Sequence, residues 1–164
     1  MREIEITKLF TSPGHDFFGR YGKGRLAHGA VEVDLVECVA GKGILGDRFF
    51  EYKEDYPGQI TFLSQEVIAE VKQALSLESI DLSAFRRNAI VSGVDLNDLI
   101  GLEFDIGGIT FFGAKECSPC FWMDEAIGEG TEEFLKGRGG LRCRILSSGT
   151  LKVGKHHLKA RKAR

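Results

Sequence analysis

The stretch Glu103-Phe104-Asp105-Ile106-Gly107-Gly108-Ile109-Thr110-Phe111-Phe112 decides the fold class. Apolar and polar residues alternate on both sides of a glycine pair, the period of a strand with one face buried. A two-residue hairpin loop needs positive φ at both central positions, which glycine adopts without strain. A β-hairpin therefore runs from Glu103 to Phe112. Working outward, Leu141-Arg142-Cys143-Arg144-Ile145-Leu146 repeats the alternation and puts Cys143 on the apolar side. Further strands are expected at Ile4–Leu9, Ala30–Leu35, Gln59–Leu63, Asn88–Val91 and, after a Ser148-Gly149 turn, Thr150–Val153. The second continues to Val39 with a slip of phase and carries Cys38.

Helices are few. Ser64 is a suitable N-cap, Glu66 suits the first turn, and Val67, Ile68, Val71 and Leu75 form a helical stripe. Thr131–Leu135 starts a second, short helix stopped by Gly137, and Asp124–Ile127 forms another turn. Many short strands with glycine turns and one clear amphipathic helix predict a mostly-β barrel or sandwich. Strands do not alternate regularly with helices; Gly41-Lys42-Gly43-Ile44-Leu45-Gly46 has the G-x-G-x-x-G spacing but opens no predicted helix, and no G-x-x-x-x-G-K-[ST] loop is present, which argues against the usual nucleotide folds.

The 164 residues, 43% apolar and 28% charged, suit one ordinary globular domain rather than a disordered or fibrous chain. Residues 1–158 are expected to form it, with 159–164 a flexible basic tail. No apolar run reaches the ~20 residues a membrane span needs. The alternating N-terminus does not look like a secretory signal, so a cytosolic location is expected. The 22 bases against 24 acids give a net charge of −2. Setting aside the four bases of the tail leaves 18 against 24, or −6, for the body. An acidic body argues against a broad nucleic-acid surface. The four cysteines, without an export signal, are expected as free thiols.

The stretch Lys115-Glu116-Cys117-Ser118-Pro119-Cys120-Phe121-Trp122 follows a predicted strand. Pro119 ends strand pairing, so the cysteines sit in a loop. Several readings stay open on spacing alone. One is a C-x-x-C dithiol redox pair using Cys117 and Cys120. A second is half of a zinc site, opposed by the lack of a second ligand pair, since the adjacent His156 and His157 point apart in a strand. A third is a single reactive thiol, Cys120, that binds a soft metal or carries sulfur. The last is two small buried fillers.

Three further clusters bear on the choice. Gly43-Ile44-Leu45-Gly46-Asp47-Arg48 is a glycine-flanked loop with an acid beside a base. Phe85-Arg86-Arg87-Asn88 precedes a strand; Phe85 would anchor it, leaving an arginine and Asn88 free at the strand mouth. Arg138, in Gly137-Arg138-Gly139-Gly140, is a third candidate anion contact, with glycines that permit close backbone approach. Arginine's planar fork suits phosphate or carboxylate oxygens.

Taken in order, these motifs resemble the MOSC domain, the family named after the C-terminal domain of molybdenum-cofactor sulfurase. The resemblance runs from about Arg25 to Lys155 and includes Gly93-Val94-Asp95-Leu96, Ser118-Pro119-Cys120 and Ser148–Gly154. It implies a β-barrel related to the pyruvate-kinase barrel domain, in a freestanding bacterial-type member. It implies that Cys120 either ligates molybdenum of the pterin cofactor or carries sulfur as a persulfide. Gly46, Asp47, Arg48, Arg86, Asn88, Pro119 and Arg138 would then hold the cofactor. The activity implied is that of a molybdenum-dependent oxidoreductase acting on N-hydroxylated compounds, or a sulfurtransferase. A cysteine desulfurase or a redox protein would be its partner, and pyridoxal phosphate would enter only through a partner sulfurase. The remaining alternative is a non-catalytic pterin-cofactor-binding module. Phe49 stands where many relatives have histidine, which removes a proton-transfer group from that corner.

Overall fold

The computed structural model describes residues 1–13 and 29–164. The expected start of the family motifs, near Arg25, lies outside the described residues. In chain order the strands are β1 (Arg2–Thr11), β2 (Val31–Val33), β3 (Leu35–Val39), β4 (Gly43–Ile44), β5 (Ile60–Ser64), β6 (Ala89–Ser92), β7 (Leu102–Ile106), β8 (Ile109–Glu116), β9 (Leu141–Ile145), β10 (Gly149–Lys152) and β11 (Gly154–Lys162). The helices are α1 (Gln65–Ala74), α2 (Trp122–Ala126) and α3 (Thr131–Leu135). Seven strands close a barrel in the order β11-β7-β8-β9-β5-β6-β1, with β1 pairing back onto β11; β2 adds to the outside of β1. Strands β10, β3 and β4 form a separate small sheet. The fold is thus mostly β, as the alternation predicts. No helix among the described residues is long and apolar enough to cross a membrane.

The Gly107-Gly108 turn has φ of 59° and 81° and joins β7 to β8. The slip of phase in the 30–39 segment is a break at Asp34 that sends β2 to the barrel and β3 to the small sheet. Alternate residues of the barrel strands fill its interior. Phe62, Phe104 and Phe111 meet there with centroids 5.5–6.1 Å apart, and Cys38 and Cys143 lie in the same apolar cluster. Strands β5 and β6 are the parallel pair, joined through α1, and are buried on both faces. Phe62 points inward, whereas Leu63 and Ile90 point outward into a second cluster with Ile68 and Val71 of α1, Leu135 of α3 and Phe85. Helix α1 begins where expected: the Ser64 hydroxyl accepts from the Val67 N–H at 3.2 Å.

The basic tail is corrected by the structure. Lys159–Lys162 is the second half of β11, not a frayed end. Its register sets Arg161 opposite Glu103 and Lys159 opposite Asp105 on β7. Arg161 contacts the Glu103 carboxylate at 3.3 Å and makes a two-pronged contact with Asp105 at 2.8 and 3.2 Å. Tail bases therefore answer acids on the neighbouring strand, which no reading of the tail alone reveals.

Candidate functional site at the barrel mouth

Register brings four chain segments to one rim. The end of β8 (Glu116) pairs with Leu141 of β9, Leu141 with Phe62 of β5, and Phe62 with Ala89 of β6. A bulge between Gly113 and Lys115 bends β8 just before its end. The loop Cys117–Cys120, the Arg86–Asn88 segment, Thr61 and Arg142 are thereby gathered around a cavity of about 240 Å³.

Cys120 is exposed and lines this cavity together with Arg48, Arg86, Asn88 and the buried Cys117. Arg87 and Arg142 also line it, so the lining holds four arginines and no carboxylate among the described residues. Aromatic surface comes from Phe49, Tyr56 and Trp122. The Phe49, Tyr52 and Tyr56 rings pack at 4.9–5.4 Å, and the Arg48 guanidinium lies 4.8 Å from the Phe49 ring centre. Burial pushes the Tyr56 phenol above its ordinary value, and Arg142 and Arg48 oppose the shift. Its hydroxyl therefore stays a hydrogen-bond donor at neutral pH.

Several site residues have a structural task beneath the cavity. Asn88 is not free at the strand mouth. Its amide oxygen accepts from the Thr61 N–H (2.9 Å) and hydroxyl (3.1 Å), and its amide nitrogen donates to the Phe10 carbonyl (3.2 Å) and to Asp47 (3.5 Å). The buried Asp47 carboxylate accepts from the N–H groups of Ser12 (2.9 Å) and Phe49 (3.3 Å). Asp47 thus fixes the loop that carries Arg48, and the exposed Gly46, at φ 87°, shapes the turn before it. Arg86 occupies the left-handed region at φ 61°, closing the short 3₁₀ turn Leu82–Phe85, and lines the cavity.

Its neighbour Arg87 is buried and donates to the carbonyls of Phe85 (2.9 Å), Gly139 (3.0 Å) and Cys117 (3.2 Å). At Gly139 and Gly140 the close approach expected of the 137–140 glycines is to the protein's own backbone rather than to a ligand. A Cβ at Gly139 would strike the Cys117 carbonyl and Pro119, and one at Gly140 would strike the Phe62 carbonyl. The glycines admit protein backbone, and Pro119 is packed against this crossing.

Arg138 is not brought to Cys120. It pairs with Glu70 at 2.9 Å, lies 4.2 Å from the Phe134 ring centre, and lines a different cleft of about 790 Å³ beside α1. That larger cleft mixes Glu66, Glu70 and Asp95 with Arg2, Lys136 and Arg138 and has no cysteine or histidine in its lining among the described residues. The smaller cavity, with a thiol and a single sign of charge, is the chemical candidate. The sequence reading missed Tyr56 and Trp122 as lining residues. Arg142 was legible as an outward position of β9, one residue from the inward Cys143, but its cavity neighbour Thr61 came only from the β5–β9 register.

Burial pushes the Cys38 thiol up to about 12, with Glu37 adding to the shift, and raises Cys143 well above its ordinary value. Both face the barrel core and are inert. Among the described residues no group of three or more His, Cys, Asp or Glu side chains could hold a metal ion.

A barrel of this order with a thiol at its arginine-lined mouth defines a class, and comparison with known proteins supplies the family. The MOSC domain family model matches residues 53–156, and the chain belongs to that family. The family is associated with molybdenum cofactor and sulfur handling. Among solved structures, the chain is similar to YuaD from Bacillus subtilis, with TM-score 0.77 and 17% identity, covering 99% of this chain and 97% of that one. It is also similar to YiiM from Geobacillus stearothermophilus (TM-score 0.68, 16% identity, 97% and 75% covered) and YiiM from Escherichia coli (TM-score 0.66, 14% identity, 100% and 72% covered). At these identities the likeness is one of fold. No curated protein matches the sequence.

Proposed function

We propose that the protein is a sulfur carrier in molybdenum-cofactor metabolism and that Cys120 is its persulfide site. One observation carries this reading: the exposed thiol stands in a cavity whose charged lining is arginine throughout the described residues. A persulfide is anionic near neutrality, and fixed guanidinium groups favour it where water is partly excluded. The volume of about 240 Å³ lies below the ~300–1,000 Å³ usual for whole small-molecule ligands, which favours a cargo of one sulfur atom. Loading is a transfer from a cysteine desulfurase persulfide: the Cys120 thiolate attacks the outer sulfur, and the donor cysteine leaves as its thiolate. Pyridoxal phosphate belongs to that partner.

A second reading has its own support in the lining. Thiolate is a soft ligand that suits molybdenum, Arg48, Arg86 and Arg142 would meet a cofactor phosphate, and Tyr56 offers aromatic surface to a pterin. These residues fit the group chemically. Bound there, the cofactor would supply two-electron redox chemistry for reduction of N-hydroxylated compounds, with a redox protein as partner. Asn88 and Asp47 would keep Arg48 and the β6 mouth in place in either case.

Incubation with a cysteine desulfurase and ³⁵S-labelled cysteine should place label on Cys120 and leave the Cys120→Ser variant unlabelled. Equal label on both proteins, or none on either, overturns the carrier reading. Molybdenum that copurifies with the wild type and is lost from Cys120→Ser, in the absence of label transfer, would favour the second.

A further inference from the structure

Cys117 is the one buried cysteine that does not behave as core. Cys38 and Cys143 belong to the apolar cluster inside the barrel, whereas Cys117, only 5% exposed, belongs to neither apolar cluster. It lines the same arginine-bearing cavity as Cys120. Its backbone is held on both sides: the N–H donates to the Gly140 carbonyl at 2.8 Å, and the carbonyl accepts from Arg87 at 3.2 Å. The segment from Cys117 to Cys120 is neither helix nor strand, and Cys120 at its outer end is exposed. One thiol is thus fixed at the wall and the other stands at the opening, with two residues between them. That spacing lets a disulfide close when the segment turns.

We infer that Cys117 is the resolving thiol of Cys120, discharging the carried sulfur as sulfide by forming a Cys117–Cys120 disulfide. The inference rests on the carrier reading and adds how the cargo leaves. The Cys117 thiolate attacks the inner sulfur of the Cys120 persulfide. The bond between that sulfur and the outer one breaks, and the outer sulfur departs with the electron pair as hydrosulfide. The two cysteines are oxidised by two electrons and the outer sulfur is reduced by two. The proton lost by Cys117 ends on the departing sulfur, so the anionic persulfide yields a neutral disulfide and hydrosulfide. Hydrosulfide is released among guanidinium groups, which stabilise the leaving anion. An external dithiol then reduces the disulfide and restores both thiols. Cys143 and Cys38 do not compete, because both are sealed in hydrocarbon.

The test loads the full-length protein with inorganic polysulfide, removes excess donor, and follows intact mass and released sulfide. Wild type is expected to gain one sulfur atom transiently, then to become two hydrogens lighter than the reduced protein, with one sulfide per disulfide. In Cys117→Ser and Cys117→Ala the persulfide should survive about tenfold longer or more, since an attack from within the same cavity is lost. Thermal melts of both variants check that the barrel is intact. Equal persulfide lifetimes in wild type and both variants, with no Cys117–Cys120 peptide, overturn the resolving role and leave the carrier reading standing. Failure of Cys120 to take up sulfur in every form overturns the carrier reading and the inference with it.

Discussion

Arg87 offers a sharp test of how the site is held. Its guanidinium donates to three carbonyls that come from three separate places in the chain: Phe85, Cys117 and Gly139. The residue is 7% exposed, so the carbonyls it serves have little access to water. Replacing it by alanine leaves these acceptors short of a donor and opens a space behind the Cys117–Cys120 loop. Hydrogen bonds to a charged group contribute about 1.5 kcal/mol or more each, which puts the loss for Arg87→Ala near 4–5 kcal/mol. At about 2–4 °C per kcal/mol for a domain of this size, the melting midpoint should fall by roughly 10–20 °C. Arg87→Lys keeps the charge but not the fork that reaches three carbonyls, so it should recover only a minor part. Circular-dichroism melts measure the loss, and the alkylation rate of Cys120 reports the loop separately. A midpoint for Arg87→Ala within about 2 °C of wild type would refute the view that this guanidinium ties the cysteine loop to the barrel mouth.

Thiol reactivity should divide the cysteines by position. In native protein near pH 8, Cys120 should react first with a disulfide reagent and Cys120→Ser should lose that fast phase, whereas Cys38, pushed up to about 12, and Cys143 should wait for unfolding. Acid stability should depend on the β7–β11 contact. The hydrogen bond from Arg161, and then that from Thr110, holds the Asp105 carboxyl below its ordinary range. A lowered folded value means the contribution is present above about pH 4 and is lost as pH falls through the lower folded value. The urea midpoint of wild type should therefore drop on acidification below about pH 4 more than that of Asp105→Asn, and parallel curves would count against the contact.

The arginines and the two thiols of the cavity are gathered by the barrel's rim. Asn88 is linked to Phe10, Asp47 and Thr61 across sequence separations of 78, 41 and 27 residues. Those bonds place Arg48 near the strand mouth, and the β5–β9 register places Arg142 there from the other side. The electropositive cavity is thus built from side chains whose positions are held by buried polar groups.

Local pattern was enough for much of the fold. Glycine at both centres of the 106–109 turn, the period of β9 and the Ser64 cap each act over a few residues, so the hairpin, Cys143 facing inward and α1 were all legible in the chain. The motif order was enough for the family. Closure of the barrel was not, because β11 is held mainly by a backbone ladder to β1 and β7, and its exposed bases, His156 and His157 give no apolar alternation. The same limit governs the site. A polar side chain's task depends on which partners reach it, and for Asn88, Asp47 and Arg87 most of those partners arrive from distant parts of the chain, so each also serves as an internal strut. Arg138 shows the converse: a promising arginine between glycines was drawn by Glu70 and Phe134 into another cleft. The family resemblance singled out Cys120; only the crossing of Cys117, Gly139 and Arg87 made the wall against which it stands.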